Sequence, residues 1–170
     1  MNFDHYGGEA AKLAADLVNA SRSFTAEGLE LILRAHGVIH ALLSDEQAEQ
    51  LQGWVDEIGP CFGPQEIDAH CSKINILLAA AASRPQISLH DGVPHLHYGA
   101  PMAGQLAHLR AITIAGMAYV VCFGGPGRLG RCARPACGRA FVDTSRTGRR
   151  SYCTARCGNN AAVARHRSRR

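Results

Sequence analysis

A chain of 170 residues with 46% hydrophobic content has room for one ordinary core and a small appended module. The longest uncharged apolar run, Ala111 to Phe123, is 13 residues, too short to span a bilayer. No basic leader precedes an apolar stretch, so the expectation is a soluble, cytoplasmic protein without secretory signal or membrane partner. The formal charge of +4 hides a division: residues 1–130 carry 7 Lys/Arg against 13 Asp/Glu, whereas residues 131–170 carry 11 Arg and one acid, Asp143. A basic end on an acidic body suggests that the end meets a polyanion.

Residues 8–19 place Ala10, Ala14, Leu17 and Val18 on one face, with Lys12 and Asp16 opposite, which predicts an amphipathic helix. A second helix is expected over 25–36, ending at Gly37. Ser44 and Gln47 form a capping box before a helix with Ala48, Leu51, Val55 and Ile58 inward, and Gly59-Pro60 stops it. Ile67, Cys71, Ile74, Leu78 and Ala81 mark the inner face of another helix, which Arg84-Pro85 ends. The period then changes. Alternation on either side of Asp91-Gly92 signals a β-hairpin over 86–98, with Pro94 at an edge or bulge. Pro101 to Phe123 reads as a long, mostly buried helix. The break at Gly124-Gly125-Pro126-Gly127 sets the expected boundary between a helical domain at 1–127 and a module at 128–170. The fold class expected is mainly α with a small β-hairpin, plus a C-terminal treble-clef-like finger.

Four of the seven cysteines fall within 26 residues, as Cys132-x4-Cys137, fifteen residues, then Cys153-x3-Cys157. In a reducing compartment, clustered pairs favour metal over disulfides. Zinc takes four thiolates in a tetrahedron, and two short pairs on separate turns deliver them. The gap suits a hairpin with strands at Ala140-Phe141-Val142 and Ser151-Tyr152 and a loop at 143–150. Gly138 permits the tight turn after the first pair. Cys153 and Cys157, four apart, share a face at the start of a helix. One Zn2+ per chain is expected; the plainer reading, four unrelated buried thiols, does not account for the spacing.

The run Cys153-Thr154-Ala155-Arg156-Cys157-Gly158-Asn159-Asn160, followed by Ala161 to His166 and a basic end, resembles the CGNR zinc finger. Gly7-Gly8 leading to Leu17-Val18-Asn19, Asn75-x-Leu77-Leu78, and Leu96-His97 before the long helix resemble the ABATE domain that usually precedes that finger. The likeness spans nearly the whole chain and is most specific in the finger. It implies a stress-induced transcriptional regulator whose finger binds DNA and whose N-terminal domain senses a small-molecule effector or mediates homodimerisation. Where the family name has Arg, this chain has Asn160, which removes one phosphate contact if that Arg touches the backbone; Arg156, one turn earlier, is placed to substitute. Asn19 and Asn75 match the family pattern as ligand contacts, though Asn19 equally suits a helix cap.

The residues themselves point the same way. On a helix Arg156, Asn160 and Arg167 align within about 40°. Arg binds phosphate or guanine bidentately and Asn reads adenine, while Ala161, Ala162 and Ala164 allow close approach. The candidate DNA contacts are Arg149, Arg150, Arg156, Asn160, Arg165 and Arg167. Against this stands a short helix merely solubilised by arginine. An RNA-binding or protein-interaction treble clef is the alternative, but RNA readers use stacking aromatics and only Phe141 and Tyr152 are available. A nuclease would need a metal-binding His and a base; the finger offers His166 and Asp143, and four cysteines close the zinc site, so no enzymatic activity is expected. His95-x-His97 lies on one strand face, with His70, His90 and His108 as neighbours. A second metal site there lacks a carboxylate or Cys at ligand spacing, and half-buried hairpin histidines are the plainer reading. Cys71 and Cys122 read as packed thiols and Cys61 as the more exposed one.

Overall fold

The computed structural model describes residues 7–20, 25–38, 42–81, 85–89, 92, 94–99 and 104–168. The predicted breaks at Arg84 and Pro101, together with His90, lie outside them. In chain order the described elements are α1 (Gly8–Ala20), α2 (Ala26–Ala35), α3 (Asp45–Ile58), α4 (Ile67–Ala81), β1 (Gln86–Ser88), β2 (His95–His97), α5 (Gln105–Gly124), β3 (Leu129–Arg131), β4 (Ala140–Val142) and α6 (Ala155–Arg167). The protein is mainly helical, with two small antiparallel ladders.

The body is built on the crossing of α1 and α5. A Cβ on Gly116 would lie 2.7 Å from the Ala10 Cβ and 2.8 Å from the Gly7 carbonyl oxygen, so only glycine lets the helices approach this closely. α5 is long and apolar enough to cross a membrane by length and composition. Here it packs against α1, α3 and α4, burying Leu109, Ile114, Met117 and Val120. Its one buried hydroxyl is satisfied: Trp54 Nε1 donates to Thr113 Oγ1 at 3.0 Å, and Thr113 donates to the Leu109 carbonyl at 2.7 Å.

The capping box of α3 forms as predicted. Gln47 N–H donates to Ser44 Oγ at 3.2 Å and Ser44 N–H to Gln47 Oε1 at 3.0 Å. The inward face of α4 differs from expectation. His70, Ile74 and Leu77 are buried, while Ile67 is 56% exposed and Cys71 and Leu78 are half-buried. Apolar residues lie on more than one side of this helix, so the pattern alone leaves its rotation open and packing on α5 decides it. Two thiols are also reversed. Cys61 is fully buried, because its turn is tucked under β3, where Gly63 N–H donates to the Leu129 carbonyl at 2.8 Å. Cys122 is exposed beside Phe123 at the end of α5.

β1 and β2 pair as Gln86↔His97, Ile87↔Leu96 and Ser88↔His95, with Gly92 at φ +81° in the connection. This is the hairpin expected over 86–98. The second ladder departs from expectation. β4 pairs with β3, as Leu129↔Val142, Gly130↔Phe141 and Arg131↔Ala140, and not with Ser151-Tyr152. The Cys132–Cys137 turn is itself the hairpin connection, so the strand before the first cysteine is the adjacent partner. Gly130 makes room for the ring across from it: a Cβ there would sit 2.4 Å from Phe141. Leu129, Ala140 and Val142 belong to the same buried cluster as the helices. The core therefore runs across the boundary expected at 127/128.

Candidate metal centre and basic helix

The first cysteine pair sits at the tip of the β3–β4 hairpin. Cys132 N–H donates to the Arg139 carbonyl and Cys137 N–H to the Arg134 carbonyl, both at 2.9 Å. Gly138 at φ +63° then turns the chain into β4, as anticipated from its place after the knuckle. The second pair straddles a helix start. Thr154 is the N-cap of α6, its hydroxyl accepting the Cys157 N–H at 3.2 Å, so Cys153 precedes the helix and Cys157 lies in its first turn.

These two turns bring four sulfurs together. The Cys137–Cys153 and Cys153–Cys157 separations are 3.7 Å, Cys137–Cys157 is 3.8 Å, and all four lie within 4.8 Å of one another. A tetrahedron with Zn–S of about 2.3 Å has edges of about 3.8 Å, so the donor set fits one zinc ion. Protonation favours the same occupant. Burial, with the neighbouring thiols, pushes Cys153 up to about 12. Cys157 is pulled down to about 6, first by the Thr154 hydroxyl and then by Arg134, whose guanidinium donates to the Cys157 sulfur at 3.9 Å. Packed thiols resist ionising together, and a dication removes the conflict. Four thiolates leave no open coordination position, which marks a structural centre.

The loop at 143–150 is held from within. Asp143 is buried, and its two carboxylate oxygens accept the Ser145 N–H at 2.9 Å and the Arg150 N–H at 2.8 Å. Burial alone would raise its pKa; these hydrogen bonds and the Arg128 charge outweigh that and hold it below the usual carboxylate value. Both oxygens are occupied, so the one acid of the finger staples its loop.

Of the candidate polyanion contacts, two are anchored within the finger. Arg150 donates to the carbonyls of Tyr152 (2.7 Å) and Cys153, with its guanidinium 5.1 Å from the Phe141 ring. Arg165 donates to the Tyr152 hydroxyl at 2.8 Å. Arg149, Arg156, Asn160 and Arg167 are exposed, and their side chains make no hydrogen bond or ion pair among the described residues. Cys157 is the one buried residue of α6, which otherwise stands into solvent. Val163 is 50% exposed. It falls between Asn160 and Arg167 on the stripe that starts at Arg156, a position the same helical arithmetic would have revealed.

The remaining candidates separate. His95 and His97 have their Nε2 atoms 3.0 Å apart, and the His108 ring centroid is 5.8 Å from that of His97. His70 is buried on α4. Asn75 is exposed, and Asn19 hydrogen-bonds to the backbone of Ala140 in the finger hairpin.

Residues 128–170 match the family model of the CGNR zinc finger. Among curated proteins none matches the chain. The matched stretch begins with the hairpin strands, contains all four converging thiols and ends with α6. Residues 128–170 are thus a CGNR zinc finger whose four thiols converge on one site.

Proposed function

We propose that the protein is a zinc-dependent DNA-binding transcriptional regulator, with α6 as the reading element and an ABATE-type helical body that senses an effector or mediates dimerisation. The observation that carries this reading is the exposed stripe of Arg156, Asn160, Val163 and Arg167 on a helix whose first turn is fixed to the metal centre. A 13-residue helix is about 20 Å long and fits a major groove. Arg pairs with guanine O6 and N7, Asn with adenine, and a small apolar side chain with the thymine methyl. Arg149 on the neighbouring loop supplies a phosphate contact that sets register.

Residues 131–170 carry 11 Arg against one acid, and a zinc tetrathiolate offsets about two of these charges. The excess still favours a polyanion. RNA is the weaker candidate because Phe141 is buried and Tyr152 is engaged by Arg165, which leaves no stacking platform among the described residues of the finger. Selection from random duplexes by the zinc-loaded full-length protein, with and without chelator, tests the reading. An enriched motif lost on chelation supports it. Failure to enrich any duplex would overturn it in favour of RNA or a protein partner.

A further inference from the structure

We propose that the open cavity between α1, α5 and the β1–β2 hairpin binds an amphipathic organic acid, an apolar body bearing a carboxylate. Its volume is about 990 Å3, the upper part of the range for drug-sized ligands. Leu13, Ile112, Ala115 and Tyr119 make an apolar wall, and the hairpin adds Ile87 and Leu96, which are 73% and 45% exposed. An apolar body would be desolvated against the helices, with Ile87 and Leu96 at the open rim.

The hairpin side carries the polar handle. His95 and His97 alternate with Leu96 on β2 and share a face, their Nε2 atoms 3.0 Å apart, with the His108 ring close by and Tyr98 next along the strand. Imidazole and phenol donors in a mostly apolar pocket suit a carboxylate, through charge-assisted hydrogen bonds that low polarity strengthens. The lining has one acid among the described residues, Glu9, and it is paired with Lys12 at 2.7 Å. Glu9 lies 4.0 Å from His36, at the other end of the cavity from His108. It follows Gly7, which packs on Tyr119, and Tyr119 is about 16 Å of helix rise from His108. A metal occupant fits less well, because among the described residues only the four cysteines bring three or more ligand atoms within coordinating distance.

Both helices that wall the cavity end on the finger. α1 carries Asn19, bonded to Ala140, and α5 leads to Arg128, which donates to the Gly124, Asp143 and Ser145 carbonyls. An occupant that shifts α1 against α5 moves the base of the finger. This names the ligand class for the effector role proposed above; it rests on that reading for its consequence, while the binding stands apart.

The test is fluorescence titration of the zinc-loaded full-length protein with two probes sharing one aromatic body: anilinonaphthalene sulfonate, an anion, and the neutral phenylnaphthylamine. The anion should bind one per chain, on the order of tenfold tighter than the neutral probe, and dodecanoate should displace it where dodecanol does not. The His95→Ala/His97→Ala double variant should lose the preference for the anion yet keep the neutral probe. Leu96→Asp, at a rim position that is 45% exposed, should weaken the anion more than the neutral probe. Equal affinity for the two probes, displacement by dodecanol as well as by dodecanoate, or unchanged anion binding in both variants would overturn the proposal. Gel shifts on the same preparation keep the two readings apart: DNA bound without probe binding removes only the ligand site, and probe bound without DNA binding removes only the regulator.

Discussion

Asn19, near the end of α1, hydrogen-bonds to both backbone groups of Ala140: its Nδ2 donates to the carbonyl at 2.9 Å, and its Oδ1 accepts the amide at 2.8 Å. Neighbouring ladder bonds fall on Cys132–Arg139 and Arg128–Asp143, so the Ala140 groups point away from β3. The side-chain amide therefore acts as one residue of an extra strand and fastens the finger hairpin to the body. Asn19→Ala leaves a buried N–H and C=O unpaired and should cost about 2–3 kcal/mol. Urea denaturation should show a lower midpoint with an unchanged slope. An unchanged midpoint would mean that the clamp contributes nothing.

Zinc removal should divide the finger internally. Leu129, Ala140 and Val142 are held by the helical core, whereas the knuckle at 132–137 and α6 depend on the metal. Hydrogen exchange after chelation should expose amides of 132–137 and 153–167 while 129–131 and 140–142 stay protected. Loss of protection across the whole of 128–170 would show that the metal alone holds the hairpin.

Metal content should be one zinc per chain. Cys153→Ser should abolish stoichiometric retention, while Ser at Cys61, Cys71 or Cys122 should leave it intact, since none of these three joins the sulfur cluster. Retention of one zinc by Cys153→Ser would break the ligand assignment.

His70 gives a pH signature independent of the metal. It is fully buried and neither ring nitrogen makes a hydrogen bond among the described residues. Burial lowers its pKa; the Cys61 backbone pulls the other way without bonding at standard geometry. The unfolded chain therefore binds the proton first. The stability is fully present above the unfolded value of about 6.5 and is lost as pH falls toward the folded one, by up to about 1.4 kcal/mol per unit. Thermal melts from pH 7.5 to 5 should show this slope in the wild type and a shallower one in His70→Leu. Identical slopes would place the titration elsewhere.

What the sequence made legible follows from locality. The α3 capping box, the 86–98 hairpin and the four ligands are written in short spacings that need no partner to be recognised. The face of α4, the burial of Cys61 and the partner of β4 depend on what packs against them, and periodicity carries no such information. Asn19 shows this most clearly. Its asparagine stands out beside Leu17 and Val18, yet nothing local says that its partner lies 121 residues away.

The central claim, that the zinc-anchored helix α6 engages DNA, is tested most directly by the salt dependence of binding in wild type and Arg156→Ala. If about five phosphates are contacted, log K should fall against log salt with a slope of about −4 to −5. Arg156→Ala should cost about 1–3 kcal/mol and relax preference at one position if the side chain reads a base; if it meets phosphate, affinity should drop evenly and the slope shrink by about one. A flat salt response with no loss in Arg156→Ala would contradict the account and point to a protein partner.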